Sequence, residues 1–516
     1  MALDFAHEYL GWPDREAIFS PSGAGPRVLA KLARAKLENA LRLLANVRGV
    51  NVGVLFENPA SDATETPLAV VCEFDHGVSL PILAEAHRLA WNFSRAPLLI
   101  TAEPHVLRAW SCYEPPMPLG TFDPFPPQIV EIPATIPQGT SIEEQAARAL
   151  DWVDLVSGEF FRRHPGRFHR ERAADGMLLQ NLLYVRQRLG ELKLDADISH
   201  DLIARLIFIQ FLFQRKDSSG NPALTEKVLR DLHAQGALRH RHRTLVDILN
   251  DYEDAYEFFR WLNNKFNGDL FPGQGATEDE REEEWTTEMQ AVKPAHLELL
   301  AQFVSGEIDM RSGQPSFWPQ YAFDAIPLEF ISSIYEAFAN KDEGTGVYYT
   351  PAHVVDFMLD AVLPWDDECW DVRILDPACG SGIFLVKSFQ RLVHRWRLAH
   401  PGEEPAAEQL RRLLERNLFG VDLDPHAVRV ASFSLYLAMC DEIDPRHYWR
   451  TVRFPRLRDH RLIYSDFFSD DLEGFRTKED AGAYDLVVGN APWAARSITP
   501  AARDWSRVHK WRPPYK

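Results

Sequence analysis

Cysteine is scarce in this chain. Five occur in 516 residues, Cys72, Cys112, Cys369, Cys379 and Cys440, an odd number with none at the paired spacing of a zinc site. Reduced thiols in a cytoplasm are expected, and no metal site. Long apolar runs are missing as well, and Met1 to Gly11 carries acids without an apolar core, so the reading is a soluble cytoplasmic protein with no signal peptide and no membrane span. Positive charge is also short. Lysine and arginine total 56 against 75 acids, a formal charge of -19, which excludes a uniformly basic surface. A polyanionic partner would need unevenly placed charge or a grip supplied from elsewhere. The length and apolar content allow more than one real core.

What is present centres on Ile374-Leu375-Asp376-Pro377-Ala378-Cys379-Gly380-Ser381-Gly382-Ile383-Phe384-Leu385. An apolar pair runs into an aspartate, a Gly-Ser-Gly turn follows, and an amphipathic helix begins at Phe384, so the pattern is strand, glycine loop, helix. Such a loop suits close approach of a nucleotide-like ligand to backbone N–H groups, and it also suits an ordinary strand-to-helix turn with Asp376 as a cap. Leu385 stands where a dinucleotide fingerprint needs its third glycine, so a pyrophosphate cofactor fits poorly.

Three further stretches occur in order with this one: Gly346-Val347-Tyr348-Tyr349-Thr350-Pro351, Phe419-Gly420-Val421-Asp422-Leu423-Asp424-Pro425, and Asn490-Ala491-Pro492-Trp493. Together they resemble the amino-directed DNA methyltransferases. The likeness is to the large adenine-N6 enzymes of type IIG restriction-modification and PglX-like phage-defence systems, over about residues 140 to 500. The resemblance implies a Rossmann-like α/β domain that takes S-adenosylmethionine as methyl donor. It implies that Tyr349, Thr350 and Pro351 contact the methionine moiety, and that Asp376, Ala378, Gly380, Gly382 and Phe384 line the same pocket, with Asp376 accepting from the ammonium. Asp422 would take the ribose hydroxyls, Leu423 would lie on the adenine, and Asp466 and Phe467 of Ile463-Tyr464-Ser465-Asp466-Phe467-Phe468 would hold its amine and stack beside it. Arg397 to Arg416 reads as an extra helical segment between the glycine loop and Asp422.

In the same family the Asn490 to Trp493 stretch is catalytic. An adenine amine is a poor nucleophile because its lone pair is delocalised. Accepting both of its hydrogens frees that pair, the Asn490 oxygen taking one and the carbonyl of Ala491 the other, while Trp493 stacks on a flipped base and Pro492 completes the catalytic stretch. Ala491 replaces the usual proline, which keeps the carbonyl and loses the rigid backbone. Adenine N6, cytosine N4 and a glutamine amide present the same chemistry, and the upstream regions favour adenine in duplex DNA.

Upstream, four regions are expected: a small α/β, nuclease-like domain at 1–114, a proline-rich tether at 115–139, a helical domain at 140–341 and the methyltransferase domain at 342–516. In the first, Glu73-Phe74-Asp75 lacks the lysine of a nuclease strand, which points to an inert or recognition domain, with a bifunctional restriction endonuclease-methyltransferase as an alternative. Arg162, Arg163, Arg167, Arg170 and Arg172, interleaved with Phe160, Phe161 and Phe168, suit either phosphate contact or a solvated helix end. Glu278 to Glu288, seven acids and one arginine, reads as a mobile solvated loop. The chain stops 23 residues after Trp493, so an incomplete sheet is expected, with Leu486 to Gly489 on an unpaired edge. A missing C-terminal target-recognition domain or a partner subunit would complete it, alongside other defence-system proteins, and the basic 496–516 segment would follow DNA or cover the edge. A catalytically impaired subunit that binds S-adenosylmethionine and a partner is the other reading.

Overall fold

A computed structural model describes residues 2–19, 27–44, 47–58, 66–116, 127–136, 144, 148–217, 219–266, 270–275, 277–310, 318–327, 350–469, 482–491 and 499–510. The chain divides into two compact units, 1–181 with 218–221 and 317–327, and 182–217 with 222–316 and 328–516.

The first unit is built on five strands in sequential order, β1 (Val50–Phe56), β2 (Pro67–Phe74), β3 (Leu98–Glu103), β4 (Val106–Ser111) and β5 (Gln128–Pro133). Only β2 and β3 run parallel, joined by helix α2 (Leu80–Phe93), while α1 (Ala2–Leu10) precedes the sheet. Side chains alternate across a strand, so Val70, Cys72 and Phe74 pack with α2 while Ala69 and Val71 pack with α1. Burial on both faces explains why β2 and β3 read as unbroken apolar runs.

Three expectations for this region change. The stretch 115–139 is not purely a tether, because Gln128–Pro133 pairs antiparallel with β4 at the sheet edge, a position where proline is tolerated. The expected helical domain at 140–341 is divided, its residues up to 181 clustering with the first unit and most of the remainder with the second. The aromatic members of the arginine cluster are core, Phe160, Phe161 and Phe168 packing edge to face against the α1 side of the sheet. Four of its five arginines are taken by acids: Arg162 by Glu159 at 3.1 Å, Arg163 by Asp154 at 2.7 Å, Arg167 by Glu114 at 2.7 Å and Arg170 by Asp175 at 3.2 Å. Glu73 is buried and occupied too, its carboxylate accepting from Arg15 at 2.5 Å and Asn51 at 3.2 Å.

In the second unit, α3 (Ala196–Gln214), α4 (Tyr252–Phe266), α5 (Glu278–Ala291) and α6 (Pro294–Ser305) precede α7 (Ala352–Val362), α8 (Ile383–Ala399), α9 (Ala407–Asn417) and α10 (Pro425–Asp441). Four short strands, β6 (Ile374–Asp376), β7 (Leu418–Asp422), β8 (Leu462–Tyr464) and β9 (Leu486–Val487), form an all-parallel sheet in the order β8-β7-β6-β9. Among the described residues β9 pairs on one side only, and Val487 is exposed. The extra segment before β7 is α9, with Leu410, Leu413 and Leu414 buried at helical spacing.

The acidic run at 278–288 is a helix. Thr277 caps it in a reciprocal box with Glu280, three acids occupy the positively polarised first turn, and Trp285 is buried at helical spacing from Glu288. The acids also find partners: Glu282 pairs with Arg260 at 2.7 Å, and Glu284 accepts two backbone N–H groups at Gly273 and Gln274. Glu288 is buried and takes Arg205 of α3 in a two-pronged bridge at 2.6 and 2.7 Å, with Tyr256 donating at 3.1 Å. Arg205 lies fully buried within the mostly apolar Leu202–Phe213 stretch of α3, and its Nε–H donates to the Leu270 carbonyl at 3.1 Å.

Removing one partner of such a pair leaves an uncompensated charge in the interior. Arg205→Met should therefore cost about 3–5 kcal/mol in denaturant unfolding, and adding Glu288→Gln should recover much of the loss.

Candidate functional site

From β6 the chain moves outward through β7 to β8 and returns to the other flank of β6 as β9. The carboxyl ends of β6 and β9 therefore border a topological switch point, where open parallel sheets hold their ligands. Register brings Asp376 beside Gly420 and Leu375 beside Val487, so the glycine loop after β6 and the Asn490 turn after β9 leave the same edge of the sheet.

Asp376 ends β6 and is 1% exposed. Its Oδ1 accepts the Ala378 N–H at 3.1 Å, and its Oδ2 has no hydrogen-bond partner. Burial pushes its carboxyl up to about 8, with the Ala378 bond opposing and the nearby Asp422 charge adding to the rise. Gly489 lies against this carboxylate so closely that a Cβ there would sit 2.4 Å from Oδ1. Only glycine lets β9 end at this place.

The loop itself is pinned from β7. The Cys379 N–H donates to the Val421 carbonyl at 2.9 Å, and the Gly380 N–H donates to Asp422 Oδ2 at 2.8 Å. The other Asp422 oxygen accepts from the Asp424 N–H at 2.9 Å, and burial holds the group above the usual carboxylate range. Asp422 thus fixes the loop, and each oxygen keeps a second lone pair for a ligand hydroxyl. Gly382 caps α8 at φ +84°, where a Cβ would meet that of Ala431 of α10 at 2.8 Å.

Thr350 approaches from the start of α7 and accepts the Asn490 amide N–H at 3.1 Å. Helix α7 is anchored by buried cations of α8: Lys387 donates to Asp356 at 3.0 Å, and Arg391 reaches Asp360 at 2.7 Å and the Leu363 carbonyl at 3.1 Å. The bonds between Thr350 and Asn490, and between Gly380 and Asp422, join residues 140 and 42 positions apart and are invisible in the linear pattern. Gly489 carried a readable signal, since glycine at an apolar strand end marks a close backbone approach.

The remaining candidates fall in different places. Leu423 is 54% exposed beyond β7, an apolar surface open to a ligand ring. Phe467 packs half-buried against Leu375, Phe419, Val421 and Ile463, and the Asp466 Oδ1 accepts the Phe468 N–H at 2.9 Å. Phe384 is buried in the first turn of α8. Pro351 caps α7, and Ala491 is exposed at the turn. Tyr349, Pro492 and Trp493 lie outside the described residues. A cavity of about 790 Å³ elsewhere in this unit, lined by Asp201, Glu284, Arg429 and Arg458 among others, includes none of the candidates.

The N-6 DNA Methylase family matches residues 329–513, which span the Thr350, Asp376, Asp422 and Asn490 positions. Type II methyltransferase M.PaeR7I of Pseudomonas aeruginosa is 31% identical over 169 residues, 32% of this chain and 26% of its own length. Adenine-specific methyltransferase PglX of Streptomyces coelicolor is 32% identical over 115 residues, 21% of this chain and 9% of its own length. The chain thus spans about a quarter or less of these relatives. The type IIL restriction-modification enzyme MmeI in complex with DNA gives a TM-score of 0.37 at 15% identity, covering 63% of this chain and 44% of its own. Among the described residues no helix is long and apolar enough to cross a membrane.

This edge of the sheet makes two expectations measurable. Gly489→Ala should displace the β9 end and lower the unfolding midpoint. For Asp376, the folded protein keeps its proton up to about 8 while the unfolded chain loses it near 3.8, so the unionised group's contribution to stability drains away as pH rises between those values. Asp376→Asn removes that loss, and its thermal midpoint should exceed the parent's by a margin that widens from pH 5 to pH 8.

Proposed function

We propose that this chain carries the donor-binding and catalytic part of an adenine-N6 DNA methyltransferase from a restriction-modification or phage-defence system, within about residues 342–516. The observation that carries the reading is the close approach of Gly489, the residue before Asn490, to the buried, half-satisfied carboxylate of Asp376. That site fits S-adenosylmethionine. Asp376 Oδ2 is a buried acceptor without a donor, suited to an ammonium, and Asp422 and exposed Leu423 suit a ribose and an adenine. When bound, this donor supplies an electrophilic methyl group.

The residues of the chain do the rest. Thr350 holds the Asn490 amide by its nitrogen, and in this reading the Asn490 side-chain oxygen accepts one amine hydrogen of the substrate while the Ala491 carbonyl accepts the other. With both hydrogens held, the amine lone pair leaves the ring system and points at its target. Asp376, ionised once a cation arrives, fixes the donor's amino-acid end. Duplex DNA with a flipped adenine is the proposed substrate, and the base-reading element is proposed to lie in a further domain or subunit.

Tritiated methyl transfer to unmethylated DNA, with any partner subunit supplied, tests the proposal. Asn490→Ala should lower transfer on the order of 100-fold or more while calorimetric S-adenosylmethionine binding persists. Asp376→Ala should weaken that binding strongly, and wild-type affinity should rise from pH 6 to pH 8 as the carboxyl ionises, with protons released on binding. Unchanged transfer by the Asn490 variant would sink the reading.

A further inference from the structure

We propose a second ligand site in the same unit, at the amino-terminal ends of the strands, that binds a small phosphate-bearing ligand of nucleotide size. A cavity of about 400 Å³ is lined there by Trp370, Arg373, Arg412, Arg416, Phe419 and Arg461 among others, a volume within the ~300–1,000 Å³ of small-molecule pockets. Arg373 immediately precedes β6 and Arg461 immediately precedes β8, so this cavity faces the opposite end of the sheet from Asp376 and Asn490.

Charge at this place is out of balance. The guanidinium groups of Arg373 and Arg461 lie over the one Phe419 ring, 4.9 and 5.1 Å from its centroid, and that of Arg373 also lies 5.4 Å from Tyr484. The acids around them are spent. Arg412 has Glu408 at 3.2 Å, Arg416 has Asp371 at 3.1 Å, and Glu415 has Arg411 at 3.4 Å. Asp485 accepts the backbone N–H of Arg373 at 2.8 Å. Arg461 donates to the carbonyls of Glu415 and His460, and the Arg373 Nε–H is buried without an acceptor.

Two like charges on one ring repel, and a ring face worth about 1 kcal/mol to each cation satisfies none of their N–H donors. A phosphate placed between them would neutralise both and accept those donors in the forked geometry that guanidinium prefers. Trp370 supplies a surface on which a base could stack.

Calorimetric titration of the full chain with ATP, AMP and inorganic pyrophosphate at 0.1 M salt tests this. Saturable one-to-one binding is expected, weakened at least about tenfold in Arg373→Gln/Arg461→Gln and unchanged in Arg163→Gln on the other unit. If the double variant does not fold, Arg416→Gln serves in its place. Tighter binding of nucleotide than of pyrophosphate supports a base on Trp370, and equal binding supports a site for phosphate alone. No saturable binding by any of the three at millimolar concentration overturns the proposal. So does unchanged affinity in the arginine variants, or displacement of ATP by duplex DNA, which would make this a nucleic-acid surface instead.

Discussion

Asp376 is a carboxyl group held in the interior by the sheet that it terminates, and the rest of the site is arranged around that burial. A buried carboxylate is costly, and here one oxygen has a single backbone donor while the other has none. The protein therefore keeps the group protonated near neutrality and holds it ready for a cation. Gly489 makes this possible from the other side, since any side chain there would occupy the space of Oδ1. One close backbone approach thus joins the strand that ends in Asp376 to the strand that leads to Asn490.

The supports of this arrangement include buried cations paired with half-buried acids. Lys387 and Arg391 hold α7, and with it Thr350, against α8, and Asp422 holds the glycine loop by backbone donors. The bond to Thr350 fixes the orientation of the Asn490 amide, so that less ordering of this side chain remains if it meets a ligand. The pair of Arg205 and Glu288 plays a similar part in the helical region, where polar groups inside an apolar helix permit fewer alternative packings.

The formal charge of -19 is distributed in a way that bears on partners. Acids in the first turn of α5 and on Arg260 are paid back by a helix terminus or a cation, and the arginines near Phe160 are matched by acids. Excess positive charge collects instead at Arg373 and Arg461, remote from the Asn490 turn along the strands.

The linear sequence by itself determined the local chemistry: a strand running into Asp376 and a glycine turn, a second strand ending in Asp422, and a third ending in Asn490. These were legible because each depends on neighbours within a few residues, namely apolar runs, glycines and a terminal polar group. The tertiary structure alone decided what those ends touch. Parallel register put Gly489 on Asp376, the packing of α7 put Thr350 on Asn490, and Arg260 and Arg205 gave the locally capped acidic helix at 278–288 its cationic partners. The tertiary structure also drew Gln128–Pro133 out of a proline-rich stretch and onto a sheet edge. Such outcomes rest on partners 20 to 140 positions away, and hydrophobic periodicity, which reports only which face of an element is buried, carries no information about which distant element will cover it.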